Sequence, residues 1–456
     1  MQNFHRRAAG RNRERSPVNV SRRQALGTFA AGLLATGFWS EARGGSFPSA
    51  NDKLNLGVIG VANRGETNLI GVNRENIVAL CDVDEDYLGQ AAMRYRGARR
   101  FADYRQLLDM PKLDAVVISS PDHTHAHASI LALDRGLHVY CEKPLATTMR
   151  EARAMAERAR NRGRVTQTGA QHHTSEGYRR AVKLMRSDLL GEVREIHAWT
   201  NRPFWPQGVG QRPAEEPVPA GLNWDLWLGP AEWRPYAAAY HPTNWRGFWD
   251  FGTGALGDRG PHLLDPVLEG LQLSLPERIV AESSGSTRES PPEWSIVRFE
   301  FPARQGGPPR VLTWYDGGKQ PALEVAGARD FLAKNGVVVV GAKARLFLPE
   351  LGGDPLVLAA ASGSSPADVA ALEGKLGSAP PGRNHYEQWL DACKGHGKTE
   401  CDFEYGARLT QLCLLGNIAL RAGEPIRWNA QDFRVEGSQR AAPLIDRAYR
   451  KGWEFL

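Results

Sequence analysis

From residue 54 onwards, short apolar runs alternate with longer stretches in which apolar residues recur at helical spacing. The runs are LNLGVIGV, IVALCDV, DAVVISS, HVYCE and RVTQTGA, and ATTMREARAMAERARNRG is a typical intervening stretch. Short β-branched runs predict buried strands, and strands that alternate with helices predict a parallel, doubly wound sheet. We therefore predict an α/β domain over residues 54–172.

The second half of the chain has a different pattern. Extended runs such as VREIHAWT, EWSIVRFEF, VLTWY and VVVVGAKARLFLP are separated by long loops, with few helices between them. This pattern favours a mainly antiparallel sheet. We predict an α+β domain over residues 173–456 that binds substrate and mediates oligomerisation. Within it, residues 350–382 are predicted to be a surface excursion, and 384–396 and 404–422 to be helices.

The first 42 residues differ from the rest in charge. Seven arginines and two glutamates give them a net charge of +5, which leaves +1 of the total +6 for the remaining 414 residues. The body of the protein is therefore near neutral and lacks the basic, aromatic-interleaved stripe of a nucleic-acid-binding surface. We predict no nucleic-acid partner.

Arg22 and Arg23 precede a weakly apolar run from about Ala25 to Trp39. The run is short and rich in glycine, so no stable membrane span is expected after processing. Paired arginines before such a run resemble a twin-arginine export signal, which predicts a signal peptide over 1–42, a linker over 43–53 and a periplasmic or otherwise exported protein. An unstructured basic tail on a cytosolic protein is the alternative.

The chain has five cysteines, with no CxxC motif and no spacing typical of a disulfide framework. We predict free, mostly buried thiols. They agree with a protein that folds in a reducing compartment before export.

The first predicted turn carries a glycine-rich motif, in which Gly57 lies in the strand, Gly60 takes the turn, Ala62 fills the middle glycine position and Gly65 ends the motif. Glycines of this kind allow a tight turn and a close approach of the backbone to a pyrophosphate. Asp82 follows Gly60 by 22 residues, at the end of the next apolar run. A carboxylate there can accept hydrogen bonds from ribose hydroxyls and would repel a 2′-phosphate, which favours NAD over NADP.

The stretch SSPDHTHAHA, residues 119–128, places His123, His125 and His127 at alternate positions. This spacing would suit a metal site if the residues lay on one strand. Pro121 interrupts the strand first, and no second cluster of ligands completes the site. We therefore predict no metal and interpret the stretch as a loop beside a cofactor, with some of the histidines capping the next helix.

The segments GVIGVANRG, CDVD, SSPDHTHA, CEKPL and GALGDRGPHLLD follow one another in the order and spacing of the Gfo/Idh/MocA oxidoreductases, a family that this chain resembles over nearly everything after residue 53. The resemblance implies a Rossmann domain that binds NAD. It implies that Lys143 lies between the nicotinamide ribose and the substrate, and that a cis bond precedes Pro144. The implied cofactor-binding residues are Gly57, Gly60, Asn63, Arg64, Gly65, Asp82, Ser120, Pro121, His125, Glu142, Lys143 and Gln171. The chain departs from the family at Ala62, Asp122 and His173.

The position of Lys143 points the same way. It follows a predicted buried strand, and ligands of open α/β sheets bind beyond the carboxyl ends of the strands. A lysine beside a positively charged nicotinamide has its ammonium form disfavoured and becomes a proton acceptor. A solvated surface lysine is the alternative.

Asp258, His262 and Asp265 are spaced i, i+4 and i+7, which places them on one helix face if a single helix contains all three. Pro261 suits only the first turn of a helix, and Pro266 would strain its continuation. The resemblance matches Asp258 and His262 to the DxxxH pair that accompanies the lysine. A helix cap with a satisfied histidine is the alternative.

Many of the thirteen tryptophans fall between residues 199 and 249. Aromatic faces beside arginines suit the apolar faces and hydroxyl edges of a sugar, but the same residues would serve equally as the core of a loop-rich region. The candidates for substrate binding are Arg202, Trp205, Trp245, Arg246, Trp249 and Asp265.

Together these features predict an exported NAD-dependent oxidoreductase of sugars or polyols, with Lys143, Asp258 and His262 as catalytic residues. We expect it to hold its cofactor tightly and to form a homo-oligomer. Two alternatives stay open. One is redox-assisted glycoside cleavage or epimerisation with transient oxidation by NAD, and the other is a non-catalytic sugar-binding protein.

Overall fold

A computed structural model describes residues 53–303, 307–327, 332–359, 371, 374 and 378–454. The predicted export signal and all but the last residue of the predicted linker lie outside these ranges. No helix in the described ranges is both long and apolar enough to cross a membrane.

The first sheet has six strands in the order β3-β2-β1-β4-β5-β6, and every neighbouring pair is parallel. The strands are β1 (Asn55–Ile59), β2 (Asn76–Cys81), β3 (Arg99–Phe101), β4 (Ala115–Ile118), β5 (His138–Glu142) and β6 (Thr166–Gly169). The strand order reverses between β1 and β4, which is where such sheets bind ligands. The predicted doubly wound sheet is confirmed.

Helices connect these strands, and their ends follow the local sequence. They are α1 (Arg64–Gly71), α2 (Glu85–Arg94), α3 (Tyr104–Leu108), α4 (Asp122–Asp134) and α5 (Met149–Arg162). Thr148 and Glu151 form a capping box at the start of α5, and Gly163 ends that helix in the left-handed conformation. Because α4 begins at Asp122, the three histidines of SSPDHTHAHA lie inside a helix, and the prediction of a loop there was wrong.

The second sheet has nine strands in the order β13-β12-β11-β7-β10-β9-β8-β14-β15. The strands are β7 (Val193–Trp199), β8 (Arg278–Ser283), β9 (Ser295–Phe301), β10 (Arg310–Tyr315), β11 (Gly336–Gly341), β12 (Ala344–Pro349), β13 (Leu356–Ala359), β14 (Ile426–Asn429) and β15 (Arg434–Glu436). β7 and β10 pair in parallel and the other pairs are antiparallel, which confirms the predicted mainly antiparallel sheet. Residues 356–359 were predicted to belong to a surface excursion, but they form an edge strand of this sheet.

The helices of the second half are α6 (Glu176–Arg186), α7 (Trp224–Leu228), α8 (Gly254–Leu263), α9 (Asp265–Gly270), α10 (Leu323–Ala326), α11 (His385–Cys393) and α12 (Phe403–Ala422). Short 3₁₀ turns occur at Gln171–Thr174, Asn244–Gly247, Glu350–Gly352 and Ala442–Ile445. The helices α11 and α12 confirm the two predicted late helices.

Pro261 lies in the second half of α8, not in its first turn, and a new helix begins at Asp265 with Pro266 near its start. The prediction for Pro261 is corrected here, whereas Pro266 interrupts the helix as predicted. A proline in this helix interior removes one backbone donor but does not end the helix, which continues to Leu263. The helix that carries Asp258 and His262 ends before Asp265.

The carboxyl-terminal residues return to the first domain. Trp389 and Leu390 of α11 are fully buried with the core residues of β1, and Phe403 and Trp453 pack in the cluster that contains β4 and α4. The boundary predicted at residue 172 therefore does not separate two independent cores.

Candidate active site

The glycine turn after β1 opens a cleft at the carboxyl edge of the first sheet. Gly60 has a φ of +80°, and a Cβ atom there would lie 2.7 Å from the Ser119 carbonyl carbon. A Cβ atom on Gly65 would lie 2.0 Å from the Gly60 oxygen, so both positions require glycine. Asn63 and Arg64 line the cleft at the start of α1. This arrangement fits the diphosphate of a dinucleotide.

Gly57 has a packing role, in contrast to the other motif glycines. It lies inside β1, and a Cβ atom there would come within 2.7 Å of Leu107. Its place is the interface between the sheet and α3, and it does not line the cleft.

Asp82 lines the cleft at the end of β2. One carboxylate oxygen accepts a hydrogen bond from the Val61 N–H at 2.9 Å, and the other accepts one from the Asp84 N–H at 3.1 Å. Burial raises the pKa of Asp82 to about 6, although these backbone hydrogen bonds oppose the shift. A carboxylate has about four lone-pair sites, so acceptors remain for ribose hydroxyls.

Ser120 and Pro121 line the cleft after β4. His125 joins this loop to the end of β5, with Nε2 2.7 Å from the Ser120 oxygen and Nδ1 2.8 Å from the Pro144 oxygen. Both ring nitrogens lie against carbonyl groups. His125 therefore positions the loop and offers no free ring nitrogen to a cofactor.

In each of the other two histidines of the stretch, one ring nitrogen also contacts a polar group of the protein. Nε2 of His123 lies 3.0 Å from the Trp227 carbonyl oxygen, and Nδ1 of His127 lies 2.8 Å from the Tyr104 hydroxyl. Across the described ranges, no group of three or more potential ligand residues is arranged to hold a metal ion.

Glu142 is buried at the end of β5 and accepts hydrogen bonds from Asn68 at 2.9 Å and Gln171 at 2.7 Å. Burial raises its pKa, while the charges of Arg64 and Lys143 act in the opposite direction. Gln171 also donates to the Tyr140 hydroxyl and lies behind Glu142 rather than in the cleft wall.

Lys143 reaches from the first domain to α8 of the second. Its Nζ donates to Asp258 Oδ1 at 2.8 Å and to the Asp258 carbonyl oxygen at 2.7 Å. The Lys143–Pro144 bond is cis, as the resemblance implies. Although burial would raise the pKa of Asp258, the charges of Lys143 and Arg246 lower it well below its usual range. The site therefore contains an ionised carboxylate against the lysine ammonium.

His262 lies one turn beyond Asp258 on α8 and lines the same cleft. Burial and the nearby charges of Lys143 and Arg259 lower its pKa well below the ordinary histidine value. Its Nδ1 is buried and has no hydrogen-bond partner among the residues that the structure describes. His262 is therefore a neutral imidazole and a potential proton acceptor.

Asp122 is a second carboxyl group in this wall. Its Oδ2 accepts a hydrogen bond from Thr253, the residue before α8, at 2.8 Å. Burial raises the pKa of Asp122 to about 7, while the charges of Arg246 and Lys143 oppose the shift. The sequence marked it only as a departure from the family pattern, and its raised pKa makes it a candidate proton-transfer group.

The predicted substrate-binding residues separate into three groups. Trp245 and Arg246 line the cleft. Trp205 and Arg202 lie next to it, since Arg246 lies 5.9 Å from the Trp205 ring and the Asp258 charge acts on Arg202.

Trp249 and Asp265 lie elsewhere, so their predicted contact with substrate is corrected. Trp249 packs against Arg421 in a separate small cavity, because α12 covers its ring. Asp265 begins α9 and is buried, where it accepts hydrogen bonds from His173 and the hydroxyl groups of Tyr178 and Tyr405. Its role in the fold is to satisfy these buried donors.

The sequence did not single out a segment of the second domain that covers the cleft. We call residues 221–243 the strap. Leu226, Trp227, His241 and Pro242 of the strap line the cleft, while Trp224 and Tyr240 pack in an aromatic core. The tryptophan cluster is thus partly core and partly cleft wall, and the aromatic-rich sequence was the available signal.

The strap is attached directly to the first domain. Asn223 N–H donates to the Val83 carbonyl at 2.9 Å, and Glu85 N–H donates to the Gly221 carbonyl at 3.0 Å. Arg450, in the carboxyl-terminal segment, also donates a hydrogen bond to the Asp225 carboxylate of the strap. These contacts fix the strap beside Asp82.

A parallel sheet with a glycine-cradled cleft, closed by a second domain through Lys143 and Asp258, defines a two-domain dinucleotide-binding protein. Residues 54–170 match the profile of the oxidoreductase family Gfo/Idh/MocA, NAD-binding Rossmann fold, and residues 179–302 match the C-terminal alpha/beta domain of the same family. The two matches cover just over half of the chain. The protein belongs to the Gfo/Idh/MocA oxidoreductase family, and its first domain is an NAD-binding Rossmann domain.

Two curated relatives are inositol dehydrogenases. The chain is 31% identical over 150 residues to inositol 2-dehydrogenase 2 of Saccharopolyspora erythraea, a match that covers 32% of this chain and 44% of that protein. It is 32% identical over 151 residues to inositol 2-dehydrogenase of Gluconacetobacter diazotrophicus, covering 32% of this chain and 45% of that protein. Each match spans less than half of the relative.

Solved structures share the fold over most of the chain. The WlbA dehydrogenase from Bordetella pertussis, in complex with NADH and UDP-GlcNAcA, has a TM-score of 0.60 at 17% identity, covering 83% of this chain and 98% of that one. A levoglucosan dehydrogenase in complex with NADH has a TM-score of 0.56 at 16% identity, covering 82% and 99%. At these identities the likeness extends to the fold alone.

Proposed function

We propose that the protein is an NAD-dependent oxidoreductase that moves a hydride between a hydroxyl-bearing carbon of a sugar or polyol and the nicotinamide. The observation that carries this proposal is the meeting of Lys143, Asp258 and His262 in the wall of the dinucleotide cleft. The inositol 2-dehydrogenases among the relatives support the substrate class. A non-catalytic binding protein would have no need of a buried ion pair beside a neutral histidine.

The residues divide the proton chemistry between them. His262 is neutral and accepts the hydroxyl proton of the substrate. The Lys143 ammonium donates a hydrogen bond to the same oxygen and stabilises the negative charge that develops there. Asp258 positions the ammonium through its carboxylate and its carbonyl group. When bound, NAD would supply the hydride acceptor.

This assignment revises the predicted role of Lys143. The sequence argument made it a proton acceptor, because a nicotinamide cation disfavours an ammonium nearby. Nζ of Lys143 donates two hydrogen bonds to Asp258, which holds the lysine as a donor, and His262 lines the same cleft as a neutral imidazole, so we assign the proton to His262. The exchange of roles is testable, because His262→Gln removes the acceptor and leaves the Lys143–Asp258 pair intact. We expect a large loss of turnover in that variant and no loss of NAD binding.

A second candidate is redox-neutral chemistry, in which transient oxidation acidifies a neighbouring C–H bond before the hydride returns. Asp122 favours it, because a carboxyl group with a pKa of about 7 is a further proton-transfer group in the same cleft wall. The test is incubation with substrate in D₂O. Deuterium at the carbon beside the oxidised position supports this candidate, and its absence with net formation of reduced cofactor supports the dehydrogenase.

We also propose that NAD is tightly held, as an exported enzyme without a cofactor pool would require. The strap supports this, because it covers the cleft and is fixed to the first domain by backbone hydrogen bonds. Export itself is proposed from Arg22 and Arg23. Replacement of both arginines by lysine should keep the protein in the cytoplasmic fraction, and unchanged export would contradict the twin-arginine assignment.

Self-association is proposed through the face of the nine-stranded sheet that bears Arg298 and Glu300, opposite the face that packs its buried residues in the core. Light scattering tests the oligomeric state, and charge reversal at Arg298 should dissociate the oligomer. A monomer at micromolar concentration would contradict the proposal.

A further inference from the structure

Four cationic side chains surround the Asp258 carboxylate. Lys143 Nζ lies 2.8 Å and Arg246 Nε lies 3.6 Å from Oδ1 of Asp258. Burial lowers the pKa of Arg202 and of Arg259, and the charge of Asp258 opposes that shift in both. One carboxylate therefore faces four positive charges.

The other nearby acids only partly offset this charge. Glu142 also lines the cleft, but its charge is shared between Arg64 and Lys143. Arg259 pairs with Glu350, which accounts for one cation. Asp122 has a pKa of about 7 and is only partly ionised at neutral pH. At least one cation therefore stays unbalanced, and an oxidised nicotinamide would add another positive charge.

Arg246 lines the cleft and Arg202 lies next to it, and the neighbours of both are mostly neutral. Within the described ranges, Arg202 contacts the Asn201 side-chain oxygen at 3.4 Å and lies 3.7 Å from the Phe204 ring, with no carboxylate in ion-pair contact. Arg246 donates to the Thr243 carbonyl at 3.2 Å, lies 4.2 Å from the Trp245 ring and shares Asp258 with Lys143.

Partly buried guanidinium groups without a carboxylate of their own lose solvation that nothing in the protein restores. Their planar donors match a carboxylate, which they can hold through two parallel hydrogen bonds. Neither residue is needed as a partner for the acids that form the fold. Their place beside Asp258 puts such a carboxylate next to the reacting hydroxyl group.

We propose that the substrate is an acidic sugar, whose carboxylate is bound by Arg202 and Arg246 while the hydroxyl group to be oxidised faces Lys143 and His262. The proposal rests on the proposed function and specifies its substrate class. A neutral sugar leaves Arg202 without a carboxylate and leaves Arg246 with only the Asp258 carboxylate that it shares with Lys143. A site built for a charged group rejects the analogue that lacks it far more strongly than an apolar pocket rejects a missing methylene.

Calorimetric titration of the NAD-loaded protein tests the proposal independently of turnover. Hexuronic acids, the matching neutral aldoses and the corresponding sugar phosphates are the probes. We expect at least tenfold tighter binding of one hexuronic acid than of its aldose. Equal affinity for the two overturns the proposal, and tighter binding of the sugar phosphate overturns the choice of a carboxylate.

Single substitutions test which residues cause the preference for the acidic sugar. Arg202→Gln and Arg246→Gln should each remove most of the preference for the acid, measured as the ratio of its affinity to that of the neutral aldose in the same variant. Arg212→Gln is the matched control, because Arg212 is exposed and pairs with Glu289. A preference that survives in both test variants overturns the assignment of these two residues.

Turnover measured on the same samples separates this proposal from the function on which it rests. Oxidation of neutral polyols without binding of acids leaves the dehydrogenase standing and removes the acidic substrate. Tight binding of a hexuronic acid without reduction of NAD supports the binding site for an acidic sugar and contradicts the dehydrogenase function.

Discussion

The Nζ atom of Lys143 lies 2.8 Å from Oδ1 of Asp258, and this ion pair joins the carboxyl end of β5 to helix α8. The two residues are 115 positions apart in the chain and belong to different domains. The ion pair therefore assembles the proposed chemical site only when the domains are packed together. Both side chains are largely buried, so removal of either would leave a charge without its partner.

Replacement of Lys143 by Ala should lower turnover by roughly 10² to 10³, a range typical of the loss of a donor that stabilises the charge developing on the reacting oxygen. NAD binding should persist, because the phosphate-binding turn and Asp82 are unchanged. Turnover and cofactor content of the purified variant are the measurements. Near-normal turnover would remove Lys143 from the mechanism.

Replacement of Asp82 by Ala should weaken NAD binding more than NADP binding, because a ribose acceptor and a source of phosphate repulsion are both lost. In the unaltered protein, NAD affinity should fall as pH decreases through about 6, where the Asp82 carboxylate becomes protonated. Asp82→Asn should remove that pH dependence. Binding titrations with both cofactors between pH 5 and 8 check the prediction. This interval extends about one unit below and about two units above the pKa of Asp82. An unchanged cofactor preference would point to another specificity residue.

Replacement of Asp122 by Asn should remove an inflection from the pH–rate profile. Burial gives Asp122 a pKa of about 7, so the carboxylate fraction increases as pH rises through that value. A carboxylate there offsets the positive charge of the site, and we expect activity to rise over the same interval. The log of kcat/KM against pH is the readout, and an inflection near 7 that persists in Asp122→Asn would assign it to a different group.

Loosening the strap should speed the release of NAD. Asp225→Ala removes the contact with Arg450 that holds the strap from outside the cleft. We expect release to be about two- to fivefold faster, because exposed ion pairs contribute about 0.2–1 kcal/mol. Displacement of bound NAD by a labelled excess measures the rate. Arg153→Ala is the control, since it breaks an exposed ion pair with Glu157 on α5, and an equal effect in both variants would exclude a role for the strap.

The parallel sheet and the cleft residues near the strand ends could be predicted from sequence, because each depends on a local pattern. The run that ends at Glu142 placed Lys143 at a strand end, and the spacing of Asp258 and His262 placed both on one helix. Contacts between distant segments could not be predicted in this way. The strap reaches Val83 from about 140 residues away, and the pKa of Asp122 is raised by burial between distant segments, although its hydrogen bond with Thr253 opposes the shift.

The tryptophan cluster shows the same limit. Trp245 and Trp249 are four residues apart and equally aromatic, yet only Trp245 faces the cleft. The difference arises because α12 packs over Trp249, and that helix lies more than 150 residues later in the chain.

The most direct test of the proposed function is whether a sugar reduces the nicotinamide inside this cleft. NAD-loaded protein is mixed rapidly with polyols, neutral aldoses and hexuronic acids while the absorbance of reduced nicotinamide is recorded. We predict that at least one of these compounds produces reduced cofactor, up to one equivalent per site, in the unaltered protein, and that His262→Gln and Lys143→Ala slow its appearance strongly. A sugar that binds the NAD-loaded protein and never reduces the nicotinamide, even transiently, would contradict the account.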